Sequence, residues 1–249
     1  GARMQRGSRG EAGKIRKFYK HASVEACTDG LGWRVMLDSH ELKTTAKHDL
    51  HLSSRSLAEA LAREWNAQER DVVPQTMPVT QLVFTGLDNF AGSLAEIREE
   101  TAQYGETDLL CYRVTEPRAL AAIQDEQWQP LLDWAAKQLD APLTVTRGIM
   151  AVTQPRQSVA ALRRPLERLD VLHITALRTL VGSTGSLVLA LAVYFGRLSP
   201  GQAVELATVE ERFQLETWGA DEELEATLAG KQEDAEAAGI ILSALSRRD

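Results

Sequence analysis

The residues whose types and spacing could support catalysis are Asp108, Tyr112 and Arg113, which stand close together in one short apolar segment. If they face a cleft between two domains, they would suit a hydrolase or a transferase. That interpretation requires a pocket that holds a carboxylate with a perturbed pKa and a nucleophile within reach. The chain has no Gly-x-Ser-x-Gly elbow, and Cys111 lies between Leu110 and Tyr112, where we expect it to be buried.

Two further motifs resemble a phosphate-binding loop and a metal site, but each lacks neighbouring residues that such a site requires. The run Gly182–Ser186 reads Gly-Ser-Thr-Gly-Ser, yet it lacks the Lys of a phosphate-binding loop and follows a predicted helix instead of a strand. His48 and His51, with His40 and His21 nearby, could be metal ligands. Positions three apart on a strand point to opposite faces, however, and no Cys or carboxylate pair completes a set of four. We therefore predict no metal, no cofactor and no catalytic residue.

A third pattern, at the end of a predicted helix, favours a contact surface. Glu210, Gln214 and Trp218 are four residues apart, so a helix places them on one face. Gly219 then ends the helix. An indole anchor with a charged rim is typical of binding hot spots. The alternative is that Trp218 packs in the core and the acids only solvate the rim. The predicted partner-binding residues are Glu210, Glu211, Gln214, Trp218, Gly219 and Asp221.

Charge is distributed unevenly along the chain. The formal net charge is −7, yet the first 20 residues hold seven Lys or Arg against one acid, while residues 205–236 hold eleven acids against two basic residues. The acidic C-terminal third argues against nucleic-acid binding, which needs a clustered basic face. Only two cysteines occur, which favours a reducing compartment. The apolar run Leu187–Phe195 has nine residues, whereas a membrane-spanning helix needs about 20.

The N-terminal third of the chain has the pattern of a small antiparallel sheet followed by a helix. Short β-forming runs separated by turn residues extend from Lys17 to Ser54. Because a lone meander is only marginally stable, it must pack on the next element. That element is a helix from Ser56 to Gln68, capped by Ser56, with an apolar stripe that ends at Trp65.

Almost all of the remaining chain has a helical pattern. Pro74 and Pro78 break the chain, and Pro78 suits the first turn of a new helix. Further helices are predicted over 117–139, which Pro130 could divide, over 200–218 and over 221–245, and an apolar stripe at helical spacing runs from Leu162 to Leu180. The predicted structural residues are Trp65, Pro78, Asp108, Tyr112 and Arg113. The fold class is predicted as α+β, with a small N-terminal antiparallel β domain and its packed helix at residues 14–77 and a larger all-helical domain at residues 78–249.

The stretch from Arg63 to Thr80 is the most informative part of the chain, although none of its residues can do chemistry. It carries Glu-Trp-x-x-Gln at residues 64–68, then Pro74, then Met-Pro-Val-Thr at residues 77–80. This order resembles the α-subunit assembly chaperones of the F-type ATP synthase, found in mitochondria and α-proteobacteria. Other blocks agree in order: residues 16–20, Leu37-Asp38, Thr107–Arg113, and Gln214 with Trp218-Gly219. The resemblance covers roughly residues 15–245.

The resemblance implies an ATP-independent chaperone, not an enzyme, that binds the free α subunit before the α/β hexamer forms. A subunit without its partner exposes a large apolar interface, and a stoichiometric binder that covers it keeps the subunit soluble by mass action. The β subunit then displaces the chaperone by binding the α subunit more tightly, so release needs no ATP site. The resemblance includes the patch at Glu210–Trp218. We expect a monomer that does not enter the membrane.

Two alternatives remain open. One is the enzyme with its site in the inter-domain cleft. The other is a protein-interaction module, unrelated to ATP synthase, that uses its acidic helices against a basic partner and loses affinity steeply with salt. For the chaperone, the expected location is the bacterial cytoplasm, or the mitochondrial matrix in a eukaryote. The Arg-rich residues 1–13 could be an expression remnant or the remainder of a transit peptide.

Overall fold

The computed structural model of the chain describes residues 15–246, so the basic leader lies outside the described residues. The strands are β1 (Ile15–Arg16), β2 (Ala22–Ala26), β3 (Trp33–Leu37), β4 (His40–Glu41), β5 (Asp71–Val72), β6 (Tyr112–Arg113) and β7 (Thr146–Arg147). The helices are α1 (Arg55–Asn66), α2 (Pro78–Thr85), α3 (Leu94–Gln103), α4 (Arg118–Gln138), α5 (Arg156–Glu167), α6 (Val171–Thr184), α7 (Leu187–Tyr194), α8 (Pro200–Ala207), α9 (Val209–Trp218) and α10 (Glu222–Ser246). The predicted α+β class is confirmed, with small antiparallel sheets and one helix first and a largely helical region after them.

The chain divides into two compact units. The described part of unit 1 consists of residues 15–93, 171–175 and 240–246, and unit 2 consists of residues 94–170 and 176–239. The division into folding domains at residues 14–77 and 78–249 stays a prediction.

Unit 1 contains the predicted meander, in which β2, β3 and β4 pair antiparallel in chain order. The register sets Val24 opposite Val35, and α1 packs on β2 and β3 with its apolar stripe. Val35, Leu61 and Trp65 are fully buried. The predicted cap of α1 is wrong. Ser54, not Ser56, precedes the helix and accepts a hydrogen bond from the Leu57 backbone N–H at 3.1 Å.

The motif around Trp65 connects α1 to α2 through Glu64. Its carboxylate accepts hydrogen bonds from the backbone N–H groups of Val79, at 3.0 Å, and Thr80, at 2.7 Å, and from the Thr80 hydroxyl at 2.7 Å. These amides belong to the first turn of α2, where backbone N–H groups lack partners inside the helix and the dipole favours an anion. Pro78 occupies the first position of the helix, as its fixed φ angle favours.

Two predicted helices in the second half of the chain are divided in the structure, and a third is continuous. α4 continues through Pro130, which is exposed, so water can satisfy the carbonyl that the proline leaves without a donor. The stripe from Leu162 to Leu180 is divided into α5 and α6. The predicted helix over 200–218 is divided at Thr208, whose hydroxyl donates back to the Val204 carbonyl at 2.6 Å. Across residues 15–246, no helix combines the length and the apolarity that crossing a membrane requires.

Candidate partner-binding surface

α9 presents three of the predicted contact residues to solvent. Glu210, Gln214 and Trp218 are all exposed, as a spacing of four residues on one helix face predicts. The Trp218 side chain is 84% exposed, so the alternative in which it packs in the core does not describe this structure. Exposure does not identify a partner, and the contact role of these residues stays a prediction.

The two residues that follow α9 have local structural roles. Gly219 ends the helix at a φ of 94°, a backbone conformation that favours glycine, and its N–H donates to the Leu215 carbonyl at 3.0 Å. Asp221 is exposed and caps α10, accepting from the Leu224 N–H at 3.0 Å. The first turn of α10 adds three acids, which the helix dipole stabilises. An exposed indole is thus followed directly in the chain by an acidic helix start.

Glu211 differs from its neighbours because it is half-buried. One of its carboxylate oxygens, Oε2, is buried and accepts no hydrogen bond from any described residue. The adjacent Arg212 donates to the backbone carbonyl of Glu205, and its Nε–H likewise has no acceptor among the described residues. A buried acceptor without a donor is uncommon in proteins. The contact role of Glu211 stays a prediction.

Sequence reasoning missed other exposed apolar side chains in unit 2. Ile149 is 103% exposed and Met150 is 68% exposed, directly after Gly148 with its positive φ of 74°. Phe195 is 50% exposed and its ring centroid lies 6.3 Å from that of Trp134. Two large apolar residues after a glycine, in a stretch without helical or alternating periodicity, are the signal that could have revealed the first pair.

Asp108, which the enzyme alternative requires, is fully buried, and both of its carboxylate oxygens accept hydrogen bonds. It accepts hydrogen bonds from the Leu110 N–H at 3.0 Å, the Ser186 hydroxyl at 2.7 Å and the Val188 N–H at 2.9 Å. Ser186 and Val188 belong to the start of α7, so the carboxylate anchors this wholly apolar helix at its positive end. With its lone pairs engaged and no solvent access, Asp108 is not placed to act on a substrate.

Tyr112 and Arg113 form the short strand β6, which pairs with β7 in parallel. The Arg113 guanidinium is buried and contacts the Leu110 carbonyl at 3.2 Å, an Asp125 oxygen at 3.2 Å and the Gln129 amide oxygen at 2.8 Å. Burial, with Asp108 nearby, raises the pKa of the Cys111 thiol to about 12, so it stays protonated and is a poor nucleophile. The contacts of this segment stabilise the fold.

The titration of Asp108 predicts a pH dependence of stability. Burial raises its pKa from an ordinary 3.8 to about 6, and hydrogen bonds from Val188, Ser186 and Leu110 limit the rise. Between those values the folded state binds the proton more tightly, so this residue's contribution to the free energy of unfolding falls as pH rises from about 4 to about 6. Relative to Asp108→Asn, which cannot titrate, the wild type should be more stable at pH 4 than at pH 7 by on the order of 3 kcal/mol. Urea unfolding of both proteins measures the difference, and a difference that does not change with pH would contradict the assignment.

Two histidines of unit 1 each contact one acid. His48 Nδ1 lies 2.8 Å from Asp88 Oδ1, and His51 Nδ1 lies 3.6 Å from Asp29 Oδ2. Among the described residues, one trio places three potential metal-ligand atoms within 4.8 Å of one another: Cys27, Asp29 and His51. Burial and the nearby Asp29 raise the pKa of the Cys27 thiol, which disfavours the thiolate that metals bind. The prediction of no metal stays as made.

Comparison with known proteins identifies the family. A family model described as ATP12 chaperone protein matches residues 16–136. The crystal structure of Atp12 from Paracoccus denitrificans matches with a TM-score of 0.87 at 37% identity, over 93% of this chain and 98% of that one. The chain belongs to the ATP12 chaperone family. A mutant of the Paracoccus protein and the Atu1473 protein of Agrobacterium tumefaciens match with TM-scores of 0.86 and 0.90, each at 37% identity, over 92% and 94% of this chain and 97% and 87% of theirs.

Membership of the ATP12 family confirms the resemblance that the ordered motifs indicate, to assembly chaperones of the ATP synthase. It also confirms that the protein is a chaperone and not an enzyme. The enzyme alternative is therefore wrong. Its three residues, Asp108, Tyr112 and Arg113, make the buried and bracing contacts described above.

Proposed function

We propose that this ATP12 protein binds the unassembled α subunit of the F-type ATP synthase and covers its interface for the β subunit until the hexamer forms. The observation that carries the proposal is the exposed face of α9, where an indole that is 84% exposed stands on the same side as Glu210 and Gln214. The sequence motifs that resemble the α-subunit chaperones include this face.

The physical support comes from the exposure of the Trp218 indole. An aromatic side chain of this size buries roughly 150–250 Å² when it is covered. At about 25 cal/mol per Å², covering that area would contribute several kcal/mol of hydrophobic free energy to binding. The fold of the chaperone does not itself bury this side chain. Trp is also among the residue types enriched at binding hot spots. A missing subunit partner leaves a large apolar interface on the client, which is the surface that such an anchor fits.

The acids beside the indole support a client surface with basic groups at its edge. Glu210 is exposed, Glu211 has an oxygen without a donor among the described residues, and α10 begins with Asp221 and three further acids. Charges at the rim of an interface raise the association rate and fix the orientation more than they add affinity. Competition by the β subunit is then sufficient for release, so the cycle needs no nucleotide.

The expected location is the bacterial cytoplasm, or the mitochondrial matrix for a eukaryotic source, with the chaperone acting as a monomer. The bacterial relatives in Paracoccus and Agrobacterium support the first.

The test uses the full chain as bait against purified F-type ATP synthase α subunit, against the β subunit, and against the assembled hexamer. We expect one-to-one capture of free α, weaker binding to β, and release of α when β is added. Mass spectrometry of a pull-down from lysate should recover α as the main co-purifying chain. Failure to bind free α, or equal binding to the assembled hexamer, would overturn the proposal.

A salt series separates the proposal from the alternative of a purely acidic interaction module. Rim charges are screened over about 8–10 Å at 0.1–0.15 M salt, whereas burial of an indole is not screened. Capture of α that survives 0.5 M salt supports the apolar anchor. Binding that disappears at that salt concentration would favour the acidic module.

A further inference from the structure

A groove of about 540 Å³ opens in unit 1 beside the stretch from Arg63 to Thr80. That stretch supplies part of its lining, including Trp65, Met77 and Thr80. Sites that hold a ligand commonly measure roughly 300–1,000 Å³. The groove therefore has room for one large apolar side chain together with its flanking peptide groups.

The groove lining combines an apolar wall with a polar margin and offers no unengaged charge to a ligand. The neutral polar residues of the margin are Thr45, Thr80, Gln81, Thr85 and Asn89. Its apolar wall consists of Ile15, Trp65, Val72, Pro74, Met77 and Phe84. The one ionisable residue in the lining is Asp88, and its two carboxylate oxygens already accept from Thr44 Oγ1, the Ala46 N–H and His48 Nδ1 at 2.5, 2.9 and 2.8 Å. A phosphate or a metal ion would find no available counter-charge. The ligand that fits is uncharged and carries a large apolar group beside polar groups.

One buried polar atom in the lining lacks a partner among the described residues. Trp65 is fully buried, and its indole Nε1–H has no acceptor among the described residues. A buried donor left without an acceptor costs about 1–3 kcal/mol, and few native groups are left so. Because Trp65 belongs to the groove lining, the acceptor can come from whatever occupies the groove. Met77, also in the lining, is unbranched and flexible, so it can shift to admit an oxygen.

The strands beside the groove favour an extended chain as its occupant. β1 pairs with β5 in a two-stranded ladder that sets Ile15 opposite Val72, and both residues line the groove. Among the described strands neither pairs with any other, and the residues of β1 are not buried, so its outer edge keeps backbone groups for a further strand. Such edges accept an additional strand by main-chain hydrogen bonds, while a neighbouring pocket takes an alternate side chain.

We infer that this groove is a second client site, which binds an extended, uncharged segment of the client by one large apolar side chain. A main-chain carbonyl of that segment accepts the Trp65 indole N–H. The inference rests on the proposed chaperone function, which makes a polypeptide the ligand. It adds to that function a site in unit 1, separate from the α9 surface of unit 2.

The test is a titration of the ¹⁵N-labelled full chain with the capped peptide acetyl-Ser-Val-Leu-Val-Ser-amide, followed through the indole N–H signals. The five tryptophans give five signals, and Trp65→Phe identifies that of Trp65. We expect a saturable downfield shift of this one signal, as its proton gains an acceptor. The same peptide with Gly in its three central positions should shift it far less.

Two matched variants control for the site. Ala46 and Ala91 are both exposed residues of unit 1, but only Ala46 lines the groove. Ala46→Trp should therefore lower the affinity for the peptide by at least about tenfold, because apolar contact and a hydrogen bond are lost. Ala91→Trp should leave that affinity unchanged. Gln81→Trp, at an exposed lining residue of α2, should block the groove independently.

An unshifted Trp65 signal would mean that the peptide does not supply an acceptor to the indole N–H, and would overturn the inference. Equal affinity in Ala46→Trp and wild type would overturn it as well. The titration needs no ATP synthase subunit, so its failure is distinguishable from a failure to capture α. Peptide binding with no α capture would remove the proposed client and leave the groove as a peptide site.

Discussion

Trp65→Arg should abolish the folded protein. Trp65 is fully buried, its ring lies 5.8 Å from that of Tyr19, and the Tyr19 hydroxyl donates to its carbonyl at 2.6 Å. The guanidinium keeps its charge at any physiological pH, and the two nearby acids, Glu64 and Asp88, already hold other donors. An unpaired buried charge together with the lost indole packing should cost more than about 4 kcal/mol, out of a total stability of about 5–15 kcal/mol.

The matched control is Trp65→Phe, which keeps an apolar ring at the same position and should stay folded with a modest loss. Soluble yield, circular dichroism and thermal melting of the two variants measure the difference. Arg63, exposed on the same helix, shows that α1 itself accommodates arginine, so the expected loss comes from burial and not from helix propensity. A Trp65→Arg protein that melts within a few degrees of wild type would contradict the packing described for α1.

The elements that the sequence predicts well are those whose signals are local. The stripe of α1 and the alternation of the meander depend on residues within about ten positions of one another, and the helix that Pro78 begins has a fixed φ at its first residue. The cap of α1 was misplaced for a non-local reason. The Ser54 hydroxyl also donates to the Ala244 carbonyl at 2.8 Å, 190 residues away in the chain, and no local pattern reports this contact.

The breaks in the later helices show the same limit. An apolar stripe from Leu162 to Leu180 is compatible with one helix, and the structure divides it because the chain leaves helical geometry between α5 and α6. The sequence predicts Asp108 as a structural residue but does not show what it contacts, since its partners Ser186 and Val188 lie about 80 positions later. A carboxylate that anchors a distant helix and one that acts on a substrate look alike in a sequence.

The candidate surface was accessible to sequence reasoning because it lies on one helix. Four-residue spacing places Glu210, Gln214 and Trp218 together, and the structure exposes all three. The groove was not accessible, because its lining comes from Ile15, the turn at Thr45-Ala46, α1, the crossing chain and α2. Only the unusual composition of the stretch from Arg63 to Thr80 marked this region in the sequence.

Trp218→Ala should separate binding from folding. Because the side chain is 84% exposed and ends its helix, its removal should change the free energy of unfolding by no more than about 0.5 kcal/mol. If it is the anchor of the client interface, affinity for the free α subunit should fall by about 30-fold or more, which corresponds to a hot-spot loss of at least about 2 kcal/mol. Titration calorimetry with purified α and urea unfolding of the variant measure the two quantities.

Leu31→Ala is the matched control for this variant. Leu31 is 80% exposed and belongs to unit 1, so truncating it removes a similarly exposed apolar side chain that is not part of α9. Its affinity for α should equal that of wild type, which would show that the Trp218 effect belongs to one surface and not to general loss of apolar area.

Glu210→Lys tests the rim in the same assay, and should slow association at low salt while changing the dissociation rate little. A Trp218→Ala protein that captures α as wild type does would show that Trp218 is not the anchor of the interface.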